Sequence, residues 1–165
     1  PAHGQVAAFN RSHYEAVLAE RLLKDAPAAK RFWQARYRTI NAIEKHWHDS
    51  GTRIIKVWLH QSEAEQKERL LKRLDEPRKR WKFDPSDLDT FAQREPYLDA
   101  MADMVEATSR EVAPWHLIPA DNKAHARAAV AGILLKQLQE LAPDYPDSDP
   151  ALDARYRALL TAKAE

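Results

Sequence analysis

The sequence predicts an α/β fold, a parallel sheet with helices on both faces. Three short apolar runs, 5–9 (QVAAF), 53–59 (RIIKVWL) and 115–119 (WHLIP), read as strands. Long amphipathic stretches separate them, and strands that alternate with helices form parallel sheets. Polar clusters follow the first and third runs directly, at the carboxyl ends where open α/β sheets bind ligands.

Each element has its own local reason. Residues 5–9 end at Asn10-Arg11-Ser12, a buried strand running into a site loop. Tyr14, Val17, Leu18, Arg21 and Leu22 recur at spacings of three and four, so 13–24 reads as helix until Pro27 interrupts it. A long amphipathic helix is expected over 29–49, its period set by Phe32, Tyr37, Ile40, Ile43, Glu44 and Trp47. It ends at Asp49-Ser50-Gly51, where glycine is free to turn left-handed. Ser62 with Glu65 is a capping-box pattern opening a helix to about Leu74. Asp75-Glu76-Pro77 breaks it, and a basic, aromatic stretch follows (PRKRWKFD, 77–84). Pro85-Ser86-Asp87 starts a helix running to about Ser109, with a kink expected at Pro96. Asn122 caps a helix over 123–141, and a loop leads to a short charged helix at 151–163.

A chain of 165 residues fits one domain, and 44% hydrophobic residues supply a core. No run approaches the roughly 20 apolar residues of a membrane helix, and the start lacks a signal-peptide pattern. With no cysteine, disulfides, thiolate catalysis and cysteine-ligated zinc are excluded, and a cytoplasmic setting is expected. The net charge of +1 gives no bulk attraction to nucleic acid. The first residue is Pro1 rather than Met, so a fragment or a processed chain is expected. The three glycines, Gly4, Gly51 and Gly132, make no GxxxxGK[ST] phosphate loop in this sequence.

Charge is unevenly placed. Segment 67–82 holds Lys67, Arg69, Lys72, Arg73, Arg78, Lys79, Arg80 and Lys82 against Glu68, Asp75 and Glu76, a local charge of +5. Arg69 and Arg73 are four apart, so both guanidinium groups face one side and can converge on a polyanion. A solvated basic helix is the plainer reading; a basic flap hinged at Pro77 is the sharper one. Asn10-Arg11-Ser12 is suited to anion binding at a helix start and equally to plain capping. Asp121-Asn122-Lys123 reads first as an N-cap, with contact to a nucleotide base or ribose as the other reading. The seven histidines form no strong zinc pattern, and His46 and His48, two apart, do not share a face.

Four strings in order, FNRSHYE at 9–15, FW..RY..IN..E at 32–44, EQKERLLKRLDEPRKRWKFDPSDL at 65–88 and APWHLIPADNK at 113–123, resemble family-2 polyphosphate kinases. The likeness is greatest to the subgroup that accepts both nucleoside mono- and diphosphates, and it runs to about residue 141. The resemblance implies a P-loop nucleoside-kinase-like sheet with a helical lid. It implies a kinase-like domain over 1–145 lacking its first strand and P-loop, a lid at about 66–95, and a tail helix in 146–165. By the same resemblance Arg11, Arg69 and Arg73 are catalytic. Asn10, Ser12, Glu15, Arg21, Lys79, Lys82, Asp121 and Lys123 bind substrate. Asn10 and Glu15 hold Mg²⁺. The implied partners are polyphosphate, AMP, ADP and ATP, in a homo-oligomer without membrane or nucleic acid.

Two departures qualify the expectation. Asn10 stands where Asp is commoner, so Glu15 is the nearby carboxylate able to share the metal. The glycine-rich loop is missing, so residues 1–165 alone are expected to be inactive or one piece of a longer product. The competing readings are a non-catalytic relic that binds polyphosphate or nucleotide, or assembles with an intact homologue, and an ATP-dependent nucleoside monophosphate kinase.

Overall fold

The computed structural model describes residues 1–2, 4–145 and 147–162. They fall into two compact units, Pro1–Gly132 and Ile133–Glu165. The first holds the two paired strands, the core and every candidate site residue. The second holds the later turns of the helix Lys123–Leu141 and the helix Pro150–Ala162.

Two strands, β1 (Lys56–His60) and β2 (Trp115–Pro119), pair in parallel with Lys56 opposite Trp115 and His60 opposite Pro119. Parallel neighbours need a long crossover. Here it carries α2 (Glu63–Asp75), a 3-10 turn at Arg80–Lys82, α3 (Ser86–Ala92) and α4 (Arg94–Thr108). The remaining helices are α1 (Lys30–Asp49), α5 (Lys123–Leu141) and α6 (Pro150–Ala162). The fold class is therefore α/β, as the alternation predicts.

The core lies where two 3-10 helices, His13–Val17 and Ala19–Leu22, meet α1 and α4. Tyr14, Val17, Leu18, Trp33, Tyr37, Ile40, Ala100, Met101 and Met104 pack there. Full burial of such side chains contributes roughly 1.5–3 kcal/mol each. The spacing of Tyr14, Val17 and Leu18 is thus right about which residues face inward. The expected α-helix over 13–24 is instead two short 3-10 turns, ending before Asp25-Ala26-Pro27.

Local signals set several ends. α1 closes in a Schellman motif: Gly51 N–H donates to the His48 carbonyl and Thr52 N–H to the Trp47 carbonyl, both at 2.9 Å, with Gly51 at φ 90°. Asn122 Oδ1 accepts from Ala124 and His125 N–H at 3.0 and 3.1 Å, capping α5. The inward face of α1 is Trp33, Tyr37, Ile40 and Glu44, while Ile43 and Trp47 are 40% and 42% exposed.

Three further expectations are corrected. Residues 5–9 form no strand among the described residues; Val6 and Phe9 are 86% and 75% exposed. A strand needs a partner for its backbone groups, and apolar character alone does not supply one. The single helix over 85–109 is two. Pro96 has no N–H for the Ala92 carbonyl, so the break falls at Gln93 and Pro96 sits in the first turn of α4, where no such donor is needed. The buried strand over 53–59 begins only at Lys56, and Leu59 and Leu117 stay 53% and 55% exposed.

Candidate functional site

The carboxyl ends of β1 and β2 gather polar groups from four elements. Ser62 caps α2, its Oγ accepting from Glu65 N–H at 3.2 Å. The reciprocal half of the capping box is taken by another residue. Ser62 N–H donates to Asp121 Oδ1 at 2.8 Å, while Glu65 Oε1 accepts from Arg69 Nε at 2.6 Å. The Ser62 N–H holds the Asp121 carboxyl below its ordinary value, with the Arg69 and His60 charges adding to the effect. Arg69 also donates to the Ala120 carbonyl at 3.0 Å. Arg69 and Asp121, distant in sequence, thus share one strand end.

Arg73 and the following segment form a second group. Arg73 donates to Asp87 Oδ2 at 2.7 Å, and the same oxygen accepts from Asp84 N–H at 3.2 Å. Lys79 pairs with Glu76 at 2.6 Å, and Lys82 Nζ lies 5.2 Å from the centre of the Trp81 ring. Arg69 and Arg73 therefore lie on one helix but are engaged by different acids. Lys123 is exposed in the first turn of α5.

The segment Asn10–Glu15 is the third group. Asn10 and Arg11 are exposed, and Ser12 and Glu15 half-buried. Ser12 Oγ accepts from Tyr14 N–H at 3.3 Å, so Ser12 does cap the first 3-10 turn. Arg11 has φ 68°, the left-handed region that a non-glycine residue enters at a cost of roughly 1–2 kcal/mol. Burial pushes the Tyr97 hydroxyl up, with the Glu15 carboxylate adding and the Arg11 guanidinium opposing. Tyr97 lines a cleft of about 200 Å³ with Trp58, His60, Gln66 and Arg94.

Arg21 stands apart. It donates to the Tyr37 hydroxyl and to Asp103 Oδ2, both at 2.9 Å, at the rim of a hollow of about 710 Å³ lined also by Trp33 and Lys30. Among the described residues no hydrogen bond joins it to the strand-end groups.

Sequence reasoning missed Arg94, Tyr97, Glu44 and Lys56. Arg94 donates to the Gln61 carbonyl and to Gln66 Oε1, both at 2.7 Å, binding the first turn of α4 to the end of β1. A cation in the first turn of a helix opposes the helix dipole, and that was the available signal. Glu44 and Lys56 were visible as charges on otherwise apolar faces.

Comparison with known proteins shows the family. Residues 1–146 match the family described as Polyphosphate kinase 2. The chain belongs to the polyphosphate kinase 2 family. It is 40% identical, over 100% of its own length and 60% of the relative's, to an ADP-polyphosphate phosphotransferase of Rhodopseudomonas palustris. It is 42% identical, over 92% of its length and 56% of the relative's, to an AMP/ADP-polyphosphate phosphotransferase of Meiothermus ruber. The crystal structure of polyphosphate kinase 2 from Arthrobacter aurescens superposes with a TM-score of 0.85 at 42% identity, covering 98% of this chain and 56% of that one. The chain thus spans a little over half the length of these relatives. The likeness in structure carries the kinase fold expected from the four strings.

Proposed function

We propose that this protein transfers phosphoryl groups between inorganic polyphosphate and nucleoside mono- and diphosphates. The observation that carries the reading is family membership over residues 1–146, joined to the cationic groups at and beyond the strand ends. The names of the Rhodopseudomonas palustris and Meiothermus ruber relatives supply the substrate classes.

Phosphoryl transfer asks for in-line positioning and charge neutralisation, with little covalent work by the protein. A terminal phosphate oxygen of the nucleotide attacks the end phosphorus of the chain, and the bond to the next bridging oxygen breaks. Arg69, Arg73, Lys79 and Lys82 form the lid set that neutralises the phosphoryl oxygens. Arg69, Arg73 and Lys79 now face Glu65, Asp87 and Glu76 and exchange these acids for phosphate oxygens. Arg11 contacts phosphates from the opposite side of the cleft. Asp121 and Lys123 lie by the nucleotide, and Arg21 acts on the acceptor side.

Among the described residues no cluster of three or more His, Cys, Asp or Glu side chains is arranged to hold a metal ion. Asn10 and Glu15 offer one amide and one carboxylate oxygen, a donor set suited to Mg²⁺ that keeps waters and shares phosphate oxygens. Bound there, Mg²⁺ would neutralise charge on the reacting phosphates. We also propose a cytoplasmic homo-oligomer. The absence of cysteine supports the first and the exposed Ile43 and Trp47 on α1 the second. No helix among the described residues is long and apolar enough to cross a membrane.

The test is ATP formation by the protein expressed from its full reading frame, with Mg²⁺, ADP or AMP, and polyphosphate. Transfer is expected with polyphosphate, and Arg69→Ala and Arg73→Ala should each lower it by about 100-fold or more, the usual effect of removing one preorganised donor. Transfer from ATP but not from polyphosphate would overturn the reading.

A further inference from the structure

Tyr14, Glu44, Lys56 and Thr108 come from four elements and meet in the interior, each 6% exposed or less. Lys56 Nζ donates to Glu44 Oε2 at 2.7 Å, to the Thr108 carbonyl at 2.8 Å and to the Tyr14 hydroxyl at 2.9 Å. The Tyr14 hydroxyl donates onward to Glu44 Oε1 at 2.7 Å, and His13 Nε2 lies 3.7 Å from the same oxygen. Trp115 Nε1 donates to Thr108 Oγ1 at 3.0 Å, closing the cluster against β2. All three contacts of the ammonium are acceptors, which requires its three protons.

This arrangement is expensive for stability alone. Burying two charges removes their hydration, and apolar side chains of similar volume commonly fold as well or better. What the cluster does provide is a fixed direction. Tyr14 sits inside the Asn10–Glu15 segment, whose upstream residues Val6 and Phe9 are 86% and 75% exposed. The segment's own hydrogen bonds, Tyr14 N–H to Ser12 Oγ and Glu15 N–H to the Ser12 carbonyl, are internal to it. Among the described residues its side-chain hydrogen bonds to the rest of the fold pass through the Tyr14 hydroxyl, with His13 beside Glu44.

We propose that Glu44 and Lys56 are positioning residues for the transfer reaction. Through the Tyr14 hydroxyl they set where Arg11 and Glu15 stand relative to the strand ends. The inference rests on the function proposed above. Neither residue touches substrate; both act through the segment.

The experiment uses the protein expressed from its full reading frame. Tyr14→Phe removes one hydroxyl and leaves the ion pair. Tyr14→Phe/Glu44→Met/Lys56→Met makes the cluster apolar at similar volume. For each, kcat and the KM values for polyphosphate and nucleotide are measured beside the melting temperature and amide exchange over residues 10–15. Tyr14→Phe is expected to lower kcat about 10- to 100-fold, as misplacement of a site group by about an ångström does. KM values should stay within about twofold, since ground-state binding is not what is lost. Amide exchange should speed up over 10–15 and stay unchanged in α4. The triple variant should keep its melting temperature and still show the low kcat. Wild-type kcat and exchange in a folded triple variant, or in Tyr14→Phe should the triple variant not fold, would overturn the proposal. A wild-type protein without polyphosphate-dependent transfer would sink the functional reading instead, and exchange over 10–15 would still decide the anchoring.

Discussion

Replacing Lys56 with Met removes the ammonium and keeps the apolar stem. The contacts to Glu44, Thr108 and Tyr14 go with it. Glu44, 1% exposed, keeps only the Tyr14 hydroxyl at 2.7 Å and the more distant His13. A buried carboxylate without its counter-ion takes up a proton rather than stay charged. Protonating a carboxyl of ordinary pKa 4.5 at pH 7 costs about 3.4 kcal/mol, at ~1.36 kcal/mol per pH unit. This falls within the ~3–5 kcal/mol seen when buried pairs are broken. The pH dependence follows from the direction of the Glu44 shift. Burial pushes its carboxyl up, but the nearby His13 and the hydrogen bonds from Lys56 and Tyr14 push it down harder, so it titrates below its ordinary value. Its contribution to wild-type stability is complete above 4.5 and is lost as pH falls through the lower, folded value. In the Met variant the carboxyl titrates above 4.5, so that protein regains stability as pH falls. The difference between the two should shrink to about 0.7 kcal/mol at pH 5. Urea denaturation at pH 7 and pH 5 measures it. A difference below about 1 kcal/mol at pH 7, or the same difference at both pH values, refutes a charged, interdependent pair.

Arg11→Gly should leave stability unchanged or raise it by up to roughly 1 kcal/mol, because φ 68° suits glycine, while transfer is lost with the guanidinium. A melting curve beside a transfer assay separates the two, and a variant that is active would remove Arg11 from the site. Glu15→Gln should raise the Mg²⁺ concentration needed for half-maximal transfer. An unchanged Mg²⁺ titration would take Glu15 out of the metal's surroundings.

What could be read in the sequence was what is decided locally. The Schellman end at Gly51, the Ser62 and Asn122 caps and the strand Trp115–Pro119 depend on neighbours within a few residues, and all are present. Residues 5–9 failed because strand formation depends on a partner that periodicity does not reveal. Arg69 and Asp121 were both picked out, but their meeting, through Ser62 and the Ala120 carbonyl, is a tertiary event 52 positions apart in the chain. Glu44 was counted within the period of α1 and Lys56 within an apolar run. Reading each as one half of a buried pair required knowing that α1 and β1 meet beside Tyr14.

Arg69, Arg73, Lys79 and Lys82 all lie inside the crossover between β1 and β2, from Gln61 to Pro114, and Arg69 also bonds the Ala120 carbonyl after β2. Closing a chain loop costs free energy only as the logarithm of its length, about 0.6 kcal/mol for each doubling. Lengthening or remodelling the 77–84 stretch should therefore change native stability little. The same topology acts on kinetics, since Lys56 and Trp115 come into register only after the whole crossover has been spanned, and long-range parallel pairing is slow. Lys56 also loses its water only when Thr108 and Trp115 arrive. The sheet and the buried pair should thus form together and late, after α2, α3 and α4 have taken shape as local structure. This crossover stretch can diversify between relatives at small cost in equilibrium stability, with folding rate as the property that limits its growth.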